Sequence, residues 1–339
     1  RARRLAVLVI AVLVAAPLDL AAVGVVDLGA MLGPHVARTE WAFAMTGARI
    51  LNAQGLTGRG VTVCLVDSGV DTLHPDFSRL HLVAWKDLVN GRADPYDDTG
   101  HGTAMAGLIV ANGSLVGVAP DVGLIAVKVV DATGIGSSAD VAAGIRYCAD
   151  HFGDGRGGAD IISISLGSKA PSFVATEVSN AATWATSRGI FVVAAAGNAG
   201  GFAADVEIPA DVNLSIAVGA VDLNGVRAPF SSMGASLNRT DPNLKPEIVA
   251  PGVQVISTAP GAHYVTSTGT SPATALAAGV LALIMQAHPE LRPHGSSANI
   301  LTLKMALMAS ADKEAGQVVP HDPWYGYGLI DGPQILAHL

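Results

Sequence analysis

The stretch Val61-Thr62-Val63-Cys64-Leu65-Val66-Asp67-Ser68-Gly69 decides the fold. Up to Val66 it is apolar and β-branched without polar alternation, which is the pattern of a strand buried on both faces. Asp67-Ser68-Gly69 then closes the run with a carboxylate and a turn. Similar runs recur at 122–130, 160–166, 189–196 and 214–221. Helix-like stretches lie between several of them: 138–151, with a Ser-Ser-Ala-Asp start, and 175–187. Strands alternating with helices predict an α/β domain. It should be three-layered and doubly wound, with a mostly parallel central sheet covered by helices on both faces.

Composition agrees with a large packed core. Half of the 339 residues are hydrophobic, 14% are charged and 39 are glycine, which suits many tight turns and argues against disorder. The net charge of −8 supplies no basic stripe to neutralise phosphates, so nucleic acid is excluded as a partner. Of the two cysteines, Cys64 lies in the first strand-like run and Cys148 in a helix-like one. They read as buried thiols acting as small hydrophobes. A disulfide between them is the alternative if the chain is exported. Without a suitably spaced histidine pair they form no zinc site.

Arg1, Arg3 and Arg4 precede an apolar run at 5–16, followed by Pro17 and Asp19. That order reads as a signal peptide, because twelve residues are too few to cross a bilayer. An uncleaved anchor over 5–26 is the alternative. The expected location is therefore secreted, or anchored on the outer side of the membrane, with no other membrane contact. Residues 1–26 are read as leader or anchor, 27–38 as a short connector and 39–339 as one domain without repeats.

In open parallel sheets, ligand sites gather beyond the carboxyl ends of the strands. Asp67 follows the first run, Asn198 follows the run ending at Ala196, and Ser271 sits in a glycine-rich turn before an apolar helix. Singly each has an ordinary explanation: Asp67 as a turn residue, Ser271 as a helix cap. For Ser271, cap and nucleophile are compatible, since a helix N-terminus favours developing negative charge. His101 stands out among ten histidines because Gly100 and Gly102 flank it and leave the imidazole uncrowded.

Together these residues fall into ordered motifs. Val66-Asp67-Ser68-Gly69-Val70-Asp71 is followed by Gly100-His101-Gly102-Thr103 and then Gly269-Thr270-Ser271. Between and after them come Leu73-His74-Pro75-Asp76, Gly117-Val118-Ala119-Pro120, Ser165-Leu166-Gly167 and Ala195-Ala196-Gly197-Asn198. Phe230-Ser231-Ser232, the 245–252 stretch Lys-Pro-Glu-Ile-Val-Ala-Pro-Gly and Gly326-Tyr327-Gly328-Leu329-Ile330 complete the set. Over roughly 40–335 the chain resembles the subtilisin-like serine proteases.

The resemblance implies an endopeptidase acting on polypeptides, and a monomer is expected. Ser271 would be the nucleophile, His101 the general base and then acid, and Asp67 the group that orients and stabilises the imidazolium. Asn198 and the Ser271 backbone N–H would hold the oxyanion. Substrate would lie along Ser165, Leu166 and Gly167 as an added strand. Glu207, two residues before Pro209, aligns with the base of the family's primary specificity pocket, where a carboxylate would favour Lys or Arg on the acyl side of the cut.

The chain also departs from the family. Pro272 follows the nucleophile where Met is usual, Ala275 replaces a later Pro, and Ala104-Met105 replaces His-Val after the histidine. Proline suits a first helical turn, so the chemistry should survive. Asp76 matches a calcium ligand of secreted bacterial members, but the 108–118 segment is shorter and lacks evident partners. Calcium is thus a candidate cofactor without an evident ligand set, and no metal ligand is assigned. Relatives commonly carry an inhibitory propeptide after the signal, and about twenty residues are available for one here.

Two other readings are set against this one. A non-catalytic relative could use the same groove to bind peptides, but all four catalytic groups are present. A nucleotide-binding doubly wound protein would need Gly-x-Gly-x-x-Gly where the chain has Asp67-Ser68-Gly69-Val70-Asp71-Thr72, which excludes it.

Overall fold

A computed structural model describes residues 9–11, 32–150, 158–168, 176–200, 206–234, 239–293 and 295–339. In chain order the elements begin with β1 (Val9–Ala11), α1 (Leu32–Met45), α2 (Ala48–Ala53), β2 (Thr62–Asp67) and β3 (His81–Asp87). α3 (His101–Val110), β4 (Gly123–Lys128), β5 (Ile135–Ser137), α4 (Ser138–Asp150) and β6 (Ile161–Ile164) follow. Then come α5 (Thr176–Ser187), β7 (Phe191–Ala195), β8 (Ile216–Val221), β9 (Ile248–Pro251), β10 (Val255–Ala259) and β11 (His263–Ser267). The chain closes with α6 (Thr270–Ala287), α7 (Ala298–Ser310) and α8 (Gly332–Ala337).

The continuous apolar runs do form buried parallel strands. The sheet has seven strands in the order β3-β4-β2-β6-β7-β8-β9, and all its pairings are parallel. All residues of β4, β6, β7 and β8 are buried, as expected for strands covered on both faces. One apolar layer joins the sheet to α3 and α6, and the other joins it to α4 and α5. α6 is apolar enough to span a bilayer by length and composition, yet nine-tenths of it is buried here as the domain's central helix.

Two edge strands were not anticipated. β3 mixes His81, Lys86 and Asp87 with apolar residues, as an edge paired on one side allows; β9 ends on Pro251, whose missing N–H disguises a strand. α1 runs from Leu32 through the expected boundary at 38/39, and residues 27–31 of the expected connector lie outside the described residues. Of the leader or anchor read over 1–26, only Val9–Ala11 lies within the described residues. It pairs antiparallel with Ile135–Ser137.

The reading of Cys64 and Cys148 as thiols is corrected. They form a disulfide that ties central strand β2 to α4, with Cα atoms 5.7 Å apart. Both side chains do sit in the apolar layer, as their surroundings suggested. Burial alone could not distinguish a thiol from a bridge, because the pairing depends on how α4 lies across the sheet.

Candidate active site

The carboxyl ends of β2, β6 and β7 and the N-termini of α3 and α6 bring the chemical residues to one end of the sheet. Asp67 closes β2 and is 1% exposed. Its Oδ1 lies 2.7 Å from His101 Nδ1 and accepts the Ser68 N–H at 2.7 Å. Oδ2 is buried with no hydrogen-bond partner among the described residues. In so buried a setting the electrostatic interaction between the carboxylate and the imidazole is stronger than it would be in water.

His101 is the first residue of α3, behind Gly100 at φ +83°, in the left-handed region. Gly102 permits a close approach: a Cβ there would meet Gly69 O at 2.1 Å and Asp67 Cβ at 3.2 Å. The glycines flanking His101 thus let the helix end dock directly on the β2 turn. Burial opposes the charged imidazole. The Asp67 charge and hydrogen bond, with a further contribution from Asp97, outweigh it and hold the His101 pKa above its ordinary value.

Ser271 is the second residue of α6, where backbone N–H groups have no partner within the helix. Its Oγ donates to Ser165 O at 3.2 Å, and Ser165 Oγ donates back to Ser271 O at 3.2 Å. No hydrogen bond joins Ser271 Oγ to His101 among the described residues. The hydroxyl is thus engaged with Ser165 O rather than with the imidazole, and catalytic hydrogen bonds often tighten only when substrate is bound. Pro272 lies in the same first turn, so its missing N–H breaks no helical bond.

Asn198 is oriented by a residue to which the sequence reading gave no role. Thr270 donates to Asn198 Oδ1 from its backbone N at 2.8 Å and from Oγ1 at 3.1 Å. With the acceptor end engaged, the Asn198 amide group is the end available to donate. Thr270 Oγ1 also accepts the Gly197 N–H at 3.2 Å, which ties the β7 turn to α6. Its signal in the sequence is its place in the Gly269-Thr270-Ser271 motif.

Leu166 is buried, and Glu207 packs against Gly167 and Gly197. A Cβ at Gly167 would fall 2.2 Å from Glu207 Oε2, and one at Gly197 would fall 2.6 Å from its Cδ. The Glu207 carboxylate therefore lies between the segment carrying Ser165 and the turn carrying Asn198. Ser168 and Ile208 exchange backbone hydrogen bonds beside it.

The amino-acid sequence of the chain matches known proteins. A family model described as the subtilase family matches residues 58–328. The chain belongs to the subtilase family. This subtilase is 42% identical to the M-protease of Shouchella clausii over 252 residues, which is 74% of this chain and 60% of that protein. It is 41% identical to Subtilisin Savinase of Lederbergia lenta, covering 74% of this chain and 85% of the relative. Against Serine protease AprX of Bacillus subtilis the identity is 36%, covering 72% of this chain and 61% of the relative. The chain thus spans about three-fifths of the length of several relatives that it matches.

Asp76 in this subtilase does not offer the oxygen cage that calcium requires. It is buried, with Oδ1 accepting the Ser114 N–H at 2.7 Å and Oδ2 accepting the Leu115 N–H at 2.9 Å. The Tyr264 hydroxyl donates to Oδ2 at 2.6 Å, and the Asn112 N–H donates to the Asp76 carbonyl at 2.7 Å. Burial, and then this bond to a carboxylate, push the Tyr264 pKa upward. The neighbouring loop thus presents N–H donors to the carboxylate, whereas calcium takes six to eight oxygens. Among the described residues no group of three or more His, Cys, Asp or Glu could hold a metal.

Proposed function

We propose that this subtilase is a serine endopeptidase that cleaves polypeptides through an acyl-enzyme. The observation that carries the reading is the 2.7 Å Asp67–His101 contact at the end of the sheet where Ser271, at the N-terminus of α6, bonds to Ser165 after β6. Ser271 Oγ turns from Ser165 O toward His101, gives up its proton and attacks the substrate carbonyl. Asn198 Nδ2 and the Ser271 N–H hold the oxyanion, and His101 returns its proton to the leaving amine. Water, activated by the same imidazole, then hydrolyses the ester. Digestion of a mixed peptide library, with product ends read by mass spectrometry, should give cuts that disappear in Ser271→Ala. Equal cutting by both proteins would refute the proposal.

Substrate class follows from Glu207. Its carboxylate between Gly167 and Gly197 supports a preference for Lys or Arg on the acyl side, through a charge-assisted contact in a partly desolvated site. Glu207→Gln should lower kcat/KM for such peptides by roughly ten- to a hundredfold, the equivalent of about 1.5–3 kcal/mol for a hydrogen bond to a charged group. A library preference for aromatic or aliphatic residues, unchanged in Glu207→Ala, would end this assignment.

Export is supported by the Cys64–Cys148 bridge, since such bonds persist in oxidising compartments. The Asp76 geometry favours stability independent of calcium. Differential scanning calorimetry should give the same Tm in EDTA as in added calcium, because an ion bound only by the folded state would raise it. A fall of several degrees in EDTA, reversed by calcium and abolished in Asp76→Asn, would contradict that reading.

A further inference from the structure

Three N–H groups of the first turn of α3 have acceptors drawn from outside the helix. The His101 N–H donates to Thr99 Oγ1 at 3.3 Å, the Gly102 N–H to Ser68 Oγ at 2.9 Å and the Thr103 N–H to Asp97 Oδ2 at 2.8 Å. The N-cap position itself is Gly100, which has no side chain to serve. The cap is thus assembled from a loop and from the turn after β2, and Asp97 is common to all of it. Asp97 Oδ1 accepts Ser68 Oγ at 2.9 Å, Gly100 N at 2.9 Å, Thr99 N at 3.2 Å and Thr99 Oγ1 at 3.3 Å. Thr103 Oγ1 donates to Oδ2 at 2.6 Å and itself accepts the Asp71 N–H at 2.9 Å.

One carboxylate thus bonds to Gly100 before His101, to Thr103 after it, and to the serine covalently attached to Asp67. We propose that Asp97 is a positioning residue of the triad: it locks the α3 N-terminus to the β2 turn and adds a second negative charge near the imidazole. The inference rests on the serine peptidase reading given above. Partial burial disfavours the charged carboxylate, but the bonds from Thr103, Gly100 and Ser68 more than compensate and keep its pKa below the ordinary value. Asp97 is accordingly charged throughout the range in which His101 titrates.

The other charges around α3 are already engaged or lie on other elements. Asp98 pairs with Lys128, whose Nζ also donates to the carbonyls of Ser68 and Val130. Asp71 accepts the N–H groups of Leu73 and Gly261. β11 contributes His263 and Tyr264, and the turn Pro75–Phe77 contributes Asp76 beside His74; α6 and β10 carry no charged residue. Asp67 and Asp97 are the two carboxylates whose charge bears on His101.

The test is an NMR titration of ring-labelled histidine in the resting protein, which needs no peptidase activity, run beside the pH profile of kcat/KM. Asp97→Asn should lower the His101 pKa by about 0.5–1 unit, the size expected for one charge removed near a partly screened neighbour. The acid limb of kcat/KM should move by the same amount, and Asp97→Glu should restore much of the shift. Ser68→Ala keeps the charge and removes one tether, so it should lower kcat while leaving the His101 titration near that of the wild type. It also remains informative if Asp97→Asn folds poorly. A His101 titration unchanged in Asp97→Asn, or one shifted equally by Ser68→Ala, would overturn the assignment. An inactive wild-type enzyme would refute the peptidase reading, while the titration would still decide the role of Asp97.

Discussion

Ser271→Ala should reduce kcat by about 10⁶-fold while leaving peptide affinity almost unchanged. In the proposed mechanism the other groups act on this oxygen, directly or through His101, or on the oxyanion that its attack creates. Without Oγ, His101 has no nucleophile to deprotonate, and the Asp67 charge has no imidazolium to stabilise. The residual rate would come from water attacking a bound substrate carbonyl whose oxyanion the remaining donors stabilise. Asn198→Ala leaves the nucleophile intact and should cost only about 10²–10³ in kcat, because one donor of two is lost. Asp67→Asn should fall between these limits, near 10⁴, by favouring the wrong imidazole tautomer. Steady-state kinetics on one peptide measures all three. Losses of similar size for Ser271→Ala and Asn198→Ala would contradict the division of roles, and a Ser271→Ala enzyme within tenfold of wild type would contradict the mechanism.

The second large effect concerns stability. The Cys64–Cys148 bridge closes a chain segment with a sequence separation of 84. Loop-closure entropy for a segment of that length corresponds to about 4–5 kcal/mol of stabilisation, acting on the unfolded chain. The double replacement Cys64→Ala/Cys148→Ala should therefore lower the denaturant-extrapolated unfolding free energy by about that amount, or prevent folding at 37 °C. Both sulfurs lie in the apolar layer between β2 and α4, so the loss of packing adds to the effect. Unfolding that is indistinguishable between this variant and the wild type would show that the bridge is absent from the protein in solution.

Legibility in the sequence followed the physics of each element. β2, β4, β6, β7 and β8 were visible because a strand covered on both faces must be continuously apolar, and no surface residue interrupts the pattern. Edge strands β3 and β9 tolerate Lys86 and Pro251, so they lacked that signal. The family motifs marked Asp67, His101, Asn198 and Ser271, and the fold gathers them at one end of the sheet. What holds them there was not legible. Thr270 gripping Asn198, and Ser68 and Thr99 capping α3 with Asp97, are hydrogen bonds between segments that a linear reading leaves unrelated. The same holds for Lys245 and Lys304, two buried lysine side chains whose Nζ atoms share Glu247 Oε1 at 2.9 and 2.6 Å. A charged run such as 245–247 would ordinarily be read as solvated surface, because buried charge survives only when its partners are already in place.

Whether Asp67, His101 and Ser271 act as one catalytic unit is decided by reaction with a serine-directed phosphonyl fluoride. Its rate should be followed against pH and its site mapped by tandem mass spectrometry. A single adduct is expected on Ser271, formed faster as pH rises through the His101 titration. Only the neutral imidazole can take the proton, and the raised His101 pKa moves that rise to higher pH than for an ordinary histidine. The adduct should be almost abolished in His101→Ala. An adduct on another residue, or a rate on Ser271 indifferent to His101→Ala, would contradict the account.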